Sequence, residues 1–182
     1  MAELRFGAEG TPEAFRESMA HLVSGVAVVT AGDPAGRPCG LLVSSITSYG
    51  TDPASVLLAI GCSARTYRAL EQAERFGVHL LASDQLYLAE VFAGHDENKF
   101  ADIDWQWDGH VPRISGAMSY LKCRTVMFTP LSDHAIVVGE VTSLDEVTDN
   151  DPLVYYKRRL DWHLNSTGGT KRATPPPGRD TR

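Results

Sequence analysis

Apolar positions along the chain fall into two rhythms. Behind Thr11-Pro12-Glu13-Ala14, an N-cap followed by proline at the first helical position, Phe15, Met19 and Leu22 recur at helical spacing and predict a helix to about His21. From Val23 the rhythm becomes that of a strand. Val23 to Gly32 reads as one strand, Asp33-Pro34-Ala35-Gly36 as a turn, and Pro38 to Ile46 as the return strand of a hairpin. Ser55 to Ile60 is apolar at successive positions and predicts a strand buried on both faces. Ser63 then suits the N-cap of a helix from Ala64 to about Gln72.

The second half repeats the mixture. Arg75 to Ala82 predicts a strand in which Phe76, Val78 and Leu80 alternate against Arg75, Gly77 and His79. Ser83-Asp84 is placed to cap a helix over Gln85 to Ala93, broken by Gly94. His95 to Gly109 reads as a short helix followed by an irregular surface excursion. Ser119 to Phe128 and His134 to Leu144 are strands around a turn at Pro130 to Asp133, and a short strand, Leu153 to Tyr156, leads into the basic Lys157-Arg158-Arg159. A flexible start over residues 1–10, one domain over 11–163 and a disordered tail over 164–182 complete the reading, because nothing beyond His163 forms a core.

One stretch breaks its pattern. From Gly40 to Pro53 the chain runs from apolar Leu41 to Val43 into the hydroxyls Ser44, Ser45, Thr47, Ser48, Tyr49 and Thr51, then the turn dipeptide Asp52-Pro53. Such a strand end can cradle a polar, anionic group, or its hydroxyls can simply satisfy turn backbone locally, and spacing alone leaves both open. The helix start at Ser63 is a second candidate anion site, since free N–H groups and the helix dipole favour phosphate there.

Charge and composition narrow the function. A net charge of −6 removes the sequence-independent attraction a nucleic-acid binder uses. Cys39, Cys62 and Cys123 are odd in number and widely spaced, which suggests reduced thiols in a cytoplasm and neither a disulfide framework nor a zinc site. No secretory core or membrane-length apolar run is present, so a soluble protein is expected. The acids of Asp102 to Asp108 lack calcium-loop spacing and its glycine, and no metal site is read from the chain. Dinucleotide, P-loop, zinc-protease and hydrolase-elbow motifs are absent. Among six scattered histidines, His134 stands out at a turn beside Asp133, where a carboxylate can orient the ring; a purely structural role is equally open.

Several segments, in order, resemble one family. FRESMAHLVSGVAVVTAGDPAGRPCGLLVSSITSYGTDPASVLLAI, SARTYRAL, RFGVHLLASDQ, FAGHDENKF and SDHAIVVGEV are similar to successive motifs of the short-chain flavin reductases, reductase partners of two-component flavin monooxygenases, over about Phe15 to Arg159. The family's Phe in Ser-Ser-Phe-Thr is Ile46 here, its Cys before the helix is Ala59, its Gly in Gly-Asp-His is Ser132, and its C-terminal tyrosine pattern reads Tyr155-Tyr156-Lys157-Arg158-Arg159-Leu160. The resemblance implies a mainly β split barrel with flanking helices, a homodimer with sites near the subunit interface, FAD or FMN as flavin and NADH as reductant. It implies that Val43, Ser44, Ser45, Ile46 and Thr47 contact the flavin, that Ala59 and Ile60 lie along it, and that Ser63, Arg65 and Thr66 hold phosphate. Lys99 and Phe100 match a segment close to the flavin, Tyr155 matches the last strand, and His134 is the histidine near the nicotinamide. The implied activity is NADH-dependent reduction of free flavin for a separate oxygenase. A non-catalytic flavin module and a flavin-dependent oxidase are alternatives on the same barrel.

Overall fold

A computed structural model describes residues 11–145 and 149–162, the side chains of 161 and 162 excepted. The flexible start expected over 1–10 and the disordered tail expected over 164–182 lie outside the described residues. In chain order the elements are α1 (Pro12–Met19), β1 (Ser24–Gly25), β2 (Ala27–Gly32), β3 (Pro38–Val43), β4 (Ile46–Thr51), β5 (Ala54–Gly61), α2 (Arg65–Gln72), β6 (Arg75–Leu80) and α3 (Leu86–Ala93), followed by β7 (Trp105–Asp108), β8 (Val111–Ile114), β9 (Ser119–Leu131), β10 (His134–Leu144), β11 (Val154–Tyr156) and β12 (Arg159–Trp162). No helix among the described residues is long and apolar enough to cross a membrane.

Seven strands form one antiparallel sheet in the order β3-β2-β6-β9-β10-β5-β4. Its two edges, β3 and β4, are consecutive in the chain and separated by only Ser44 and Ser45. An extended chain covers about 11 Å from Val43 to Ile46, so the sheet must roll until its edges nearly meet. The edges are not hydrogen-bonded to one another, and the result is a barrel split at this seam. Smaller sheets, β1-β11-β12 and β7-β8, lie outside it.

β2 is buried on both faces, which explains its nearly unbroken apolar run. Ala27, Val29 and Ala31 enter one core with Val43, Leu58, Ile60, Phe76 and Val78, to which α2 adds Ala69 and Leu70. Val28, beside Val26, faces a second core with Leu88, Ala89 and Phe92 of α3, Phe100, Ile114 and Leu153.

The structure corrects several sequence expectations. Thr11 caps α1 as expected, its Oγ1 accepting from Ala14 N at 3.2 Å. Ser63 does not cap α2: Ala64 occupies the N-cap without a side-chain hydrogen bond. Nor do Ser83 and Asp84 cap α3, where Gln85 takes the position and its longer side chain accepts from Ala82 N at 2.9 Å and donates to Gly116 O at 2.7 Å. β5 alternates instead of being buried on both faces, with Val56, Leu58 and Ile60 inward and Leu57 and Ala59 half-buried, because nothing of the described chain covers the outer side. No helix forms between His95 and Gly109; the excursion contains β7, which pairs with β8 through Gly109 at φ 65°. Tertiary packing organises it, through edge-on contacts running Phe92–Phe100–Trp105–Trp107.

His79, read as polar-face, is fully buried. The outer face of β6 is covered by the β8 segment, and the ring bridges them: Nδ1 donates to Val28 O at 3.2 Å and Nε2 accepts from Ile114 N at 3.0 Å, while Tyr120 stacks on it at 4.8 Å. These partners fix a neutral ring, because a carbonyl can only accept and an amide N–H can only donate. Burial outweighs the Val28 hydrogen bond and holds its pKa down at about 4, from an ordinary 6.5.

The unfolded chain therefore binds a proton at His79 between pH 6.5 and 4 that the folded chain does not. Stability should fall as pH drops through that window, by roughly 3 kcal/mol from this residue. Urea midpoints across the window test it: His79→Phe should be less stable than wild type at pH 7 but show a shallower acid slope. Equal slopes would exclude His79 as the titrating group.

Candidate functional site

The seam places two sets of the sequence-selected residues side by side. The first lines a cavity of about 420 Å³ between β3, the start of α2 and the loop after α3. Ser63, Arg65, Thr66, Lys99 and Phe100 all face it, together with Gly40, Leu41, Leu42 and Phe92. The sequence reading missed the β3 wall, although Gly40 carries a signal: a Cβ there would stand 2.6 Å from the Phe92 ring.

Two cations share this cavity. Lys99 Nζ donates to Phe92 O at 2.8 Å and, at 3.4 Å, to Gly40 O, tying the loop to the end of α3 and to β3. Burial, and then the neighbouring Arg65, hold the Lys99 pKa below the ordinary lysine range. Arg65 Nη1 donates to Glu97 O at 2.8 Å, and its Nη2 lies 3.9 Å from Asp33 Oδ2. With α2 lacking a side-chain cap and the Ser63 hydroxyl exposed beside it, the donors converging here suit a phosphate. Phe92, Phe100, Leu41 and Leu42 supply apolar wall. The donor set thus fits a ligand that carries both phosphate and ring.

The second set lies across the seam on β4, β5 and β10. Ser44 and Ser45 are the exposed link itself, and Ser45 Oγ donates to Ala59 O at 2.7 Å, so its proton is committed to closing the seam. Thr47 is exposed, with Oγ1 donating to Ser48 O at 3.3 Å. Val43 and Ile60 turn their side chains into the first core and Ile46 packs against it, which leaves mainly backbone groups available from Val43 and Ile60. Ala59 is half-buried on the outer face. His134 pairs with Gly61 at the start of β10, and a Cβ at Gly61 would lie 3.8 Å from His134 Nε2 and 4.0 Å from Ser63 Oγ, so the histidine and the helix start flank one glycine. Cys62 N donates to Asp133 O at 2.8 Å and locks the two turns together. Tyr155 lies elsewhere: it packs against the second core and does not line the cavity.

His134 is oriented by its neighbour, with Nδ1 donating to Asp133 Oδ1 at 2.8 Å. That hydrogen bond is the main reason the Asp133 pKa sits below the usual carboxylate range. The arrangement leaves Nε2 as the free ring nitrogen on the Gly61 side. Among the described residues no cluster of His, Cys, Asp or Glu could hold a metal.

A family model described as a flavin reductase like domain matches residues 19–163. The chain is 37% identical over 146 residues to the reductase component of a 4-nitrophenol 4-monooxygenase/4-nitrocatechol 2-monooxygenase from Rhodococcus opacus, covering 80% of this chain and 78% of that one. It is 36% identical over 157 residues to an NADH:riboflavin 5′-phosphate oxidoreductase from Streptomyces pristinaespiralis, covering 84% and 87%. Among solved structures, the NADH:FAD oxidoreductase of Streptomyces globisporus in complex with NAD and FAD fragments is 26% identical with a TM-score of 0.80, covering 89% of this chain and all of that one.

The hairpin that presents His134 carries strain. Ser132 is the first residue of a two-residue loop between Leu131 and His134 and holds φ 57°, a conformation glycine adopts freely and serine does not. Ser132→Gly should raise stability by about 1 kcal/mol, read as an increased urea midpoint; a lowered midpoint would show that the serine hydroxyl matters more than the backbone.

Proposed function

The chain belongs to the flavin reductase-like family, and from this premise we propose that it is an NADH-dependent flavin reductase delivering reduced FMN or FAD to a separate flavin-dependent monooxygenase. The observation that carries the reading is the convergence of Ser63, Arg65 and Lys99 on one cavity beside the seam. A bound flavin supplies the ring that accepts a hydride from NADH. The chain supplies everything else. Arg65, Lys99, Ser63, Thr66 and the uncapped start of α2 hold phosphate; Ser44, Ser45 and Thr47 offer hydroxyl oxygens to the polar chain; backbone groups of Val43, Ile46, Ala59 and Ile60 meet the ring; and Phe100 closes the apolar wall. His134, with Nδ1 engaged by Asp133, positions the nicotinamide through Nε2.

A homodimer is part of the same reading. Beyond Cys123, β9 keeps Phe128 against the first core but exposes Val126 (56%), Met127 (40%) and Leu131 (62%), with Leu131 paired to His134. Val126 is the extra residue where the pairing shifts between Val138 and Gly139. An apolar strand end of this kind calls for cover, and a second copy there would bring the site to the subunit interface.

Purified protein mixed with NADH and either FMN or FAD should consume NADH, and His134→Ala should raise the KM for NADH more than that for flavin; no turnover with either flavin would defeat the assignment. Sedimentation velocity should give twice the 19.8 kDa protomer mass, and Met127→Glu should shift it toward monomer. A monomeric wild type would rule out the dimer.

A further inference from the structure

Asp33 lies in the β2–β3 turn, outside every segment assigned to the site, yet its carboxylate reaches the cavity's guanidinium. Its Oδ1 accepts from Ala35 N at 2.9 Å and Arg37 N at 2.8 Å, the hydrogen bonds of a self-closed turn. Its Oδ2 accepts from Arg37 Nε at 2.9 Å and Arg37 Nη2 at 2.8 Å, and lies 3.9 Å from Arg65 Nη2. The Asp33 side chain is 11% exposed, so solvent screens this charge less than it would an open surface acid.

We propose that Asp33 is a positioning residue that tempers Arg65, lowering the site's affinity for the phosphate of its flavin so that reduced flavin is released to the oxygenase. The proposal rests on the reading of Arg65 as a phosphate-holding group. Arg65 faces the cavity from between two acceptors, Glu97 O on one side and Asp33 on the other. An incoming phosphate meets the attraction of Arg65 and Lys99, the repulsion of Asp96 and Glu97 on the cavity wall, and the repulsion of Asp33, which its ion pair with Arg37 reduces without cancelling at Arg65. Removing the Asp33 charge leaves Arg65 tethered by Glu97 O, so its direction is kept while its field is no longer opposed from that side. Asparagine can keep the Oδ1 acceptor for Ala35 N and Arg37 N, and with it the turn.

A reductase that hands flavin to another protein has a reason for such weakening. Full charge on two cations would favour retention, whereas a carboxylate set behind one of them trims affinity without filling the cavity. The effect is confined to the phosphate, since Asp33 does not line the cavity that receives the ligand. Riboflavin, which has no phosphate, should not sense it.

The test is the affinity of the full-length protein for FMN and for riboflavin, by quenching of flavin fluorescence, in wild type, Asp33→Asn, Arg65→Ala and the double variant. Arg65→Ala should weaken FMN and leave riboflavin unchanged. Asp33→Asn should tighten FMN by about threefold to tenfold at low salt, leave riboflavin unchanged, and lose its effect when Arg65 is absent. If Arg65→Ala does not alter the preference for FMN over riboflavin, the phosphate reading of Arg65 fails and the proposal with it. If Arg65→Ala behaves as stated but Asp33→Asn leaves FMN affinity unchanged or weaker, the phosphate reading stands and the tempering role is overturned. Asp33→Ser, whose hydroxyl can also close the turn, serves the same comparison should the asparagine variant not fold.

Discussion

The fold depends on a length constraint. Two residues, Ser44 and Ser45, join strands that stand at opposite edges of a seven-stranded sheet, and no flat sheet can satisfy that. Curling brings β3 and β4 together without a hydrogen-bonded ladder between them, and Ser45 braces the gap through Ala59 O. The backbone that would be paired in a closed barrel is here left beside a cavity. A polar ligand can therefore meet main-chain groups, hydroxyls and a helix start in one place, which uninterrupted sheet would not allow.

Burial on both sides of the barrel wall follows from the same curl. β2 serves two cores, and α2 and α3 each fill one of them. The loop after α3 is drawn back over the cavity because Lys99 donates to carbonyls at the end of that helix and on β3, while Arg65 donates to the loop itself. The cations that suit phosphate are thus already structural, both held at carbonyls that orient them, with a carboxylate, Asp33, set near Arg65 alone. Such preorganisation lowers the ordering cost of binding an anion.

Much of the candidate site was legible in the sequence because its residues sit in two compact runs. Ser63, Arg65 and Thr66 belong to one helix start and Lys99-Phe100 to one loop, and the structure brings both runs to the same cavity. The Ser44 to Thr47 run was legible as a strand ending in hydroxyls, and Asp133-His134 as a turn with an oriented ring. Tyr155 was selected from likeness to a C-terminal pattern and packs away from the cavity, against the second core.

By itself, the sequence determined the three helices and the strands β2, β3, β5, β6, β9, β10 and β11 to within a few residues, the absence of any charge pattern for nucleic acid, and the family, because apolar periodicity and ordered motifs are local properties; β4, β7, β8 and β12 were not read as strands. Only the tertiary structure decided the rest. His79 is polar by type and sits in an alternating strand, yet β8 covers it, and a strand's own pattern does not say whether its second face will be covered. Gln85 takes the N-cap position ahead of α3 without a side-chain cap bond, and its side chain instead ties Ala82 N to Gly116 O, a carbonyl that only the fold brings close. Asp33 and Arg65 are far apart in the chain and meet because α2 crosses the seam toward β2 and β3. The hydroxyl stretch acquires its place in the same way: its composition marked it as unusual, but its position at the seam comes from the order of seven strands.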